Sequence, residues 1–243
     1  MNFYALIIGT EILNGRREDK HFAFIRAELQ KYGHELFASY IVKDDVELIT
    51  NTLKLIKNDK KSVLFSFGGI GSTPDDLTRE IAADVFTLKA IVRHKEFEKD
   101  IIEKFAENAY PHRIHMADLP QGSDLIFNPI NNMSGFSLEN RFFFVPGFPS
   151  MSHPMLSQVI KDNFSSSEKK YRYTLLAQTS ENTLICLMKK IPQHIELSSL
   201  PIFKDGKALV ELSLSAKDNN DVKNYFSIFT KELDEKEILY KLI

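Results

Sequence analysis

The stretch that most constrains this chain is Phe67-Gly68-Gly69-Ile70-Gly71-Ser72-Thr73-Pro74-Asp75-Asp76-Leu77-Thr78. Ahead of it, Ser62-Val63-Leu64-Phe65-Ser66-Phe67 is a short apolar run with β-branched and aromatic residues, the pattern of a buried strand. Behind it, Thr73 is placed to cap a helix, Pro74 suits the first helical position, and Asp76 stands in the first turn. Strand, glycine loop and capped helix make a joint that few folds accommodate. The glycines can adopt positive φ and leave backbone N–H groups open to a second molecule. A helix N-terminus behind such a loop is an anion site.

Asp75 and Asp76 complicate that reading, because they lie where a bound phosphate would sit and repel it. Either both serve only the helix dipole, or a divalent cation such as Mg2+ bridges carboxylate and phosphate. Bridging is the preferred alternative, since a cap needs one acid and no run of glycines. The loop is neither a Walker A motif, lacking Gly-Lys-Ser/Thr, nor a Rossmann fingerprint in spacing.

The elements around the loop define the fold class. Phe3 to Ile8 predicts a first strand, ending at Gly9-Thr10-Glu11. A helix is predicted from Asp19 to Tyr32, a strand from Glu35 to Val42, and an amphipathic helix marked by Val46, Ile49, Leu53 and Ile56. This alternation argues for a parallel sheet covered by helices on both faces. In such sheets ligands bind beyond the carboxyl ends of the strands, and three exits carry acids there: Glu11, Asp44 and the pair Asp75-Asp76.

Further on, a helix is predicted from His94 to Asn108, a strand from Leu125 to Phe127, and a polar loop from Asn128 to Phe136. The strand Arg141 to Val145 follows and ends at Pro146-Gly147-Phe148-Pro149, with Ser150 or Ser152 as the cap of the next helix. The polar run Asn163 to Lys170 marks a boundary. After it come predicted strands at Tyr171 to Ala177 and Ala208 to Ser215, and helices at Glu181 to Lys190 and Asp218 to Leu233. That is enough chain for one small two-layer α/β unit. The division is therefore 1–164 and 170–243.

Composition narrows the function classes. With 31 basic and 33 acidic residues the net charge is −2, so no basic field advertises nucleic acid. No run reaches the ~20 apolar residues of a spanning helix, and the N-terminus lacks the basic region of a signal peptide. No membrane partner and a cytoplasmic location are expected. The single cysteine, Cys186, sits among Leu184, Ile185, Leu187 and Met188 and reads as a buried, inert thiol in a reducing compartment. His112 and His115 are three apart without a third ligand nearby, and read as surface or pocket-lining residues.

The pattern Gly68-Gly69-x-Gly71-x-x-x-Asp75-Asp76-x-Thr78 resembles the signature of the molybdopterin-binding MoaB/Mog superfamily. The run Thr73 to Glu80 is most similar to the CinA N-terminal domain family. Gly9, Glu11, Leu13, Gly15, Asp44, Asn128-Pro129, Gly135-Phe136 and Pro146-Gly147-x-Pro149 extend the likeness. It implies a three-layer MoaB/Mog-like domain with a mostly parallel sheet, followed by a small, KH-like α/β domain. No Gly-x-x-Gly loop occurs in that second region, so RNA binding gains nothing. Ser72 stands where the family usually has proline, His21 where it has asparagine, and Asn131 to Gly135 where it has Gly-Thr-Ala-Pro-Gly. Arg113 and His115 replace an asparagine and a lysine. The deamidase domain of full-length CinA-like proteins has no counterpart here, so no amide hydrolysis is implied.

What the resemblance implies for function is a metal-dependent pyrophosphatase acting on ADP-ribose-like nucleotides. Mg2+ would be held by Asp76 and Asp44, with Glu11 as general base. Gly68, Gly69, Gly71, Ser72, Thr73, Asp75, Thr78, Thr10, Ser134, Gly135, Pro146, Gly147 and Pro149 would surround the phosphorylated ligand. The alternatives are a molybdopterin-binding protein without hydrolysis, or a degenerate domain serving an assembly. Relatives are mostly dimers or trimers, so a homo-oligomer is expected.

Overall fold

The computed structural model describes residues 1–165, 170–204 and 206–243. The chain divides into two compact units, Met1–Ser167 and Glu168–Ile243. Within the polar run Asn163 to Lys170, residues 166–169 lie outside the described ones.

The first unit contains β1 (Asn2–Ile8), α1 (Thr10–Leu13), α2 (His21–Lys31), β2 (Leu36–Val42), α3 (Val46–Asn58), β3 (Ser62–Phe67) and α4 (Thr78–Thr87). It continues through β4 (Ile91–Arg93), α5 (Lys95–Phe105), two 3-10 turns (Ala106–Ala109 and Arg113–Ala117), β5 (Asp118–Pro120), β6 (Asp124–Ile126), β7 (Gly135–Leu138), β8 (Phe142–Val145) and α6 (Pro149–Phe164). Six strands form the central sheet in the order β2-β1-β3-β8-β7-β6, while β4 and β5 pair separately. The ladders from β2 to β8 are parallel; β7 and β6 are added antiparallel. The expected mostly parallel three-layer α/β architecture is what forms.

Strand alternation builds the two cores. Along β1, Tyr4, Leu6 and Ile8 face one side with Ile49 and Leu53 of α3 and Ile81 of α4. Phe3, Ala5 and Ile7 face the other, with Ile25 and Leu29 of α2 and Leu156 and Ile160 of α6. The run Phe142-Phe143-Phe144 splits the same way, with Phe143 opposite its two neighbours. Each fully buried phenylalanine contributes roughly 1.5–3 kcal/mol of transfer free energy.

Several local expectations are corrected. The helix after the glycine loop begins at Thr78, not at Thr73. Asp76 Oδ2 accepts from both the Thr73 amide (2.8 Å) and the Thr73 hydroxyl (2.6 Å). That side-chain-closed turn competes with helical pairing over residues 73–77. Ser150 and Ser152 cap nothing: α6 starts at Pro149, and the Ser152 hydroxyl donates back to Phe148 O at 3.1 Å. The polar loop predicted through Phe136 closes earlier, because Gly135 already pairs in β7. The helix at His94 ends at Phe105, where Ala106 takes φ 47°.

The second unit contains β9 (Tyr171–Ala177), α7 (Glu181–Met188), β10 (Glu196–Lys204), β11 (Lys207–Ala216), α8 (Asn219–Glu235) and β12 (Tyr240–Leu242). Its antiparallel sheet runs β10-β11-β9-β12, with Leu175, Val210, Leu212 and Leu214 packed on Leu184, Phe226 and Phe229 of the helices. Cys186 is exposed, against expectation. Leu184 is the buried residue of α7, and two positions further the helix has turned its side chain away from the sheet.

Candidate functional site

The site lies at the carboxyl edge of the parallel strands, where the order reverses about β1 and β3. Four exits are joined there in two pairs by backbone. The Gly68 amide donates to Val145 O (3.0 Å), and the Gly9 amide donates to Val42 O (3.0 Å). A Cβ on Gly68, at φ 99°, would meet Ile8 O at 2.5 Å, and one on Gly147 would meet the Gly68 Cα at 3.3 Å. A Cβ on Gly69, at φ 69°, would overlap the Thr78 hydroxyl; one on Gly71 would meet Asp76 Oδ2 at 2.5 Å. These glycines are required first by the protein's own close packing, a signal the sequence alone assigns equally to a ligand.

Above this floor is a cavity of about 700 Å3. Its lining brings together Glu11, Asp44, Gly68, Gly69, Gly71, Ser72, Thr73, Asp75, Asp76, Ser134, Pro146 and Gly147 from the expected set. Four expected residues lie outside the lining. Thr78 is buried and ties the loop, its hydroxyl donating to Gly68 O at 3.1 Å and its amide to Gly69 O at 2.9 Å. Gly135 is packed against Phe144 O inside the sheet, and Pro149 opens α6. Thr10 acts one step back, with its amide and hydroxyl both donating to Asp44 Oδ2 at 2.8 Å.

Asp44 and Asp45 show how adjacent acids divide their roles. Asp44 holds the β1 exit, while Asp45 caps α3 by accepting from the Leu48 amide at 2.8 Å. Hydrogen-bond donors beside it hold the Asp75 carboxyl below its ordinary range. Glu11 pairs with Arg17 at 3.5 Å. The metal seat expected at Asp76 and Asp44 draws no support from this donor set. One oxygen of each carboxylate already takes two hydrogen bonds from a threonine. Among the described residues, no group of three or more His, Cys, Asp or Glu is placed to hold a cation.

Buried Arg79 braces the loop from below, its Nη1 donating to Ile70 O and Gly71 O. Burial lowers its pKa from the ordinary value. Gly71 and Ser72 both line the cavity, and their amides have no acceptor among the described residues. His21, the departure noted above, is buried, stacks on Phe67 at 4.4 Å and donates from Nε2 to Gly147 O at 3.2 Å. Burial pushes its pKa down, so the neutral ring holds the Pro146-Gly147 turn in place.

Sequence reasoning missed much of the wall. Phe97, Phe105, Met116, Met133, Phe148 and Met151 supply apolar surface, and Arg16 and Arg17 supply positive charge beside Arg113, which the family resemblance already singles out. The consecutive Arg16-Arg17 after Gly15 was a visible signal; the convergence of α5 and the 3-10 turn on the cavity was not.

The first unit is thus an α/β domain with a polar cavity at its strand ends, the usual place for a ligand in such a sheet. Residues 4–165 match the family model of the probable molybdopterin binding domain, and the chain belongs to that family. Its relatives place it in the CinA-like branch read from the central motif. A CinA-like protein of Fusobacterium nucleatum is 26% identical over 222 residues, covering 89% of this chain and 54% of the relative. One of Nostoc punctiforme is 27% identical over 248 residues, covering 98% and 59%. The chain thus spans a little over half the length of these relatives. A protein of Archaeoglobus fulgidus is 24% identical and is covered along its whole length. The solved structure of the protein CinA from Thermoplasma acidophilum superposes with a TM-score of 0.60 at 26% identity, covering 66% of this chain and 96% of that one. No helix among the described residues is long and apolar enough to cross a membrane.

Proposed function

We propose that the first unit binds a phosphorylated pterin of the molybdopterin type without hydrolysing it. The observation that carries this is the pair of unclaimed amides at Gly71 and Ser72, in a cavity belonging to a domain of the molybdopterin-binding family. The amides and the adjoining loop receive the phosphate. Phe105, Met116, Met133 and Met151 offer an apolar wall for a planar ring.

The ADP-ribose pyrophosphatase reading draws no support from the donor set. It needs a bridging metal, and among the described residues no group of three or more His, Cys, Asp or Glu is placed to hold one.

Titration calorimetry with a pterin phosphate, followed by product analysis, tests the proposal. The expected result is saturable binding, unchanged ligand, and loss of binding in Gly71→Val, whose side chain would displace Asp76. Release of AMP from ADP-ribose, or no affinity for the pterin, would overturn it.

A further inference from the structure

The lining of the main cavity presents three arginines, Arg16, Arg17 and Arg113, against four carboxylates, Glu11, Asp44, Asp75 and Asp76. A phosphorylated ligand placed there meets carboxylates held in the loops and guanidinium groups exposed to solvent. The question is which cation answers its charge.

The carboxylates are held as parts of the loops. Asp44 is bonded to Thr10 and Asp76 to Thr73, each through one oxygen accepting both an amide and a hydroxyl. The arginines are differently placed. Arg16 Nε has only Asn14 Oδ1 at 3.4 Å, a weak contact. Arg113 donates from Nη1 to Asn108 O at 2.8 Å and lies over the Phe105 ring at 4.9 Å. That fixes the plane of its guanidinium and leaves the other donors of the fork open. Arg17 lies 5.5 Å over Phe148 and makes a long pair with Glu11, so its charge is steered toward the mouth between the β1 and β8 exits. All three are exposed on the rim, and two belong to a loop separate from the third.

We propose that Arg16, Arg17 and Arg113 neutralise the ligand's anionic groups directly, in place of a metal bridging Asp44 and Asp76. Planar forks arriving from two loops suit a ligand with more than one anionic oxygen cluster, such as a diphosphate, which they engage by paired charge-assisted hydrogen bonds. The inference rests on the reading of this cavity as an anion site. It goes beyond that reading by naming the counter-charge and the class of head group.

Inorganic pyrophosphate is the probe, titrated calorimetrically into the full chain in EDTA and again in Mg2+. The expected result is the same Kd, within a factor of about two, in both buffers. Arg16→Gln, Arg17→Gln and Arg113→Gln each raise Kd by about tenfold, as loss of a charge-assisted contact implies. Because the three side chains are exposed, the variants keep the parent melting temperature, which separates lost binding from lost folding. Binding should also weaken as KCl is raised, since rim charges are screened. Abolition of binding by EDTA, an unchanged Kd in the triple variant, or no binding of pyrophosphate would each overturn the proposal. A pterin phosphate is titrated in parallel. Arginine-dependent binding of pyrophosphate without affinity for the pterin would leave this inference standing and remove the pterin reading.

Discussion

Gly69→Ala tests the floor of the site most directly, because two separate costs meet at one atom. Gly69 has φ 69°, where an L side chain is strained by roughly 1–2 kcal/mol. The added methyl would also overlap the Thr78 hydroxyl, which donates to Gly68 O at 3.1 Å. Relaxing that overlap forfeits about one hydrogen bond, worth about 1 kcal/mol net. The sum is about 2–3 kcal/mol, which at about 2–4 °C per kcal/mol for a unit of this size lowers its melting temperature by about 4–12 °C. Circular dichroism during thermal and urea unfolding measures it, with the first unit's transition followed separately because two units need not unfold together. Thr78→Ala supplies the internal control. Its removal of the hydroxyl should cost about 1 kcal/mol less in the Gly69→Ala background than in the parent, a coupling between neighbours. A Gly69→Ala protein within about 0.5 kcal/mol of the parent, or strict additivity with Thr78→Ala, would refute the packing argument.

Two further outcomes follow from groups outside the floor. His153, stacked on Phe24 at 3.8 Å, has its pKa pushed down to about 4 by burial and by His21. In the unfolded chain a histidine titrates near about 6.5, so between there and about 4 the unfolded state binds more protons. Stability is then full at neutral pH and falls as pH drops through that window. His153→Phe should flatten this part of the urea-midpoint profile, and an unchanged slope would count against burial as the cause. Exposed Cys186 should react with a thiol reagent in native buffer as a free thiol does; reaction only after adding urea would contradict its placement.

The parallel half of the sheet was legible because Phe3 to Ile8 and Ser62 to Phe67 are continuous apolar strands buried on both faces. Strands with weaker signals were not. Gly135–Leu138 hides behind a polar loop, and Glu196–Lys204 is an edge strand carrying Pro201 and two serines. At the site, the motif suggested a helical cap at Thr73, because Thr-Pro-Asp-Asp has the composition of a helix start. The local turn closed by Asp76 prevails, and only the hydrogen-bond geometry reveals it. Likewise Asp44 and Asp76 read as metal ligands by type, while their threonine partners lie in contacts that spacing does not show across 34 residues of separation at Thr10 and Asp44.

Where β1, β3 and β8 converge, main chain rests on main chain: Gly68 lies between Ile8 O and Gly147 with no room for a methyl group. Retuning what this cavity accepts is therefore divided unevenly among its residues. A library built at Arg16, Arg17, Arg113 and Phe148, all exposed, would sample new ligands in chains that still fold. The same diversity at Gly68 or Gly69 would return mostly chains that do not. In such a fold, stability and selectivity are inherited through different positions, so one can drift while the other stands still.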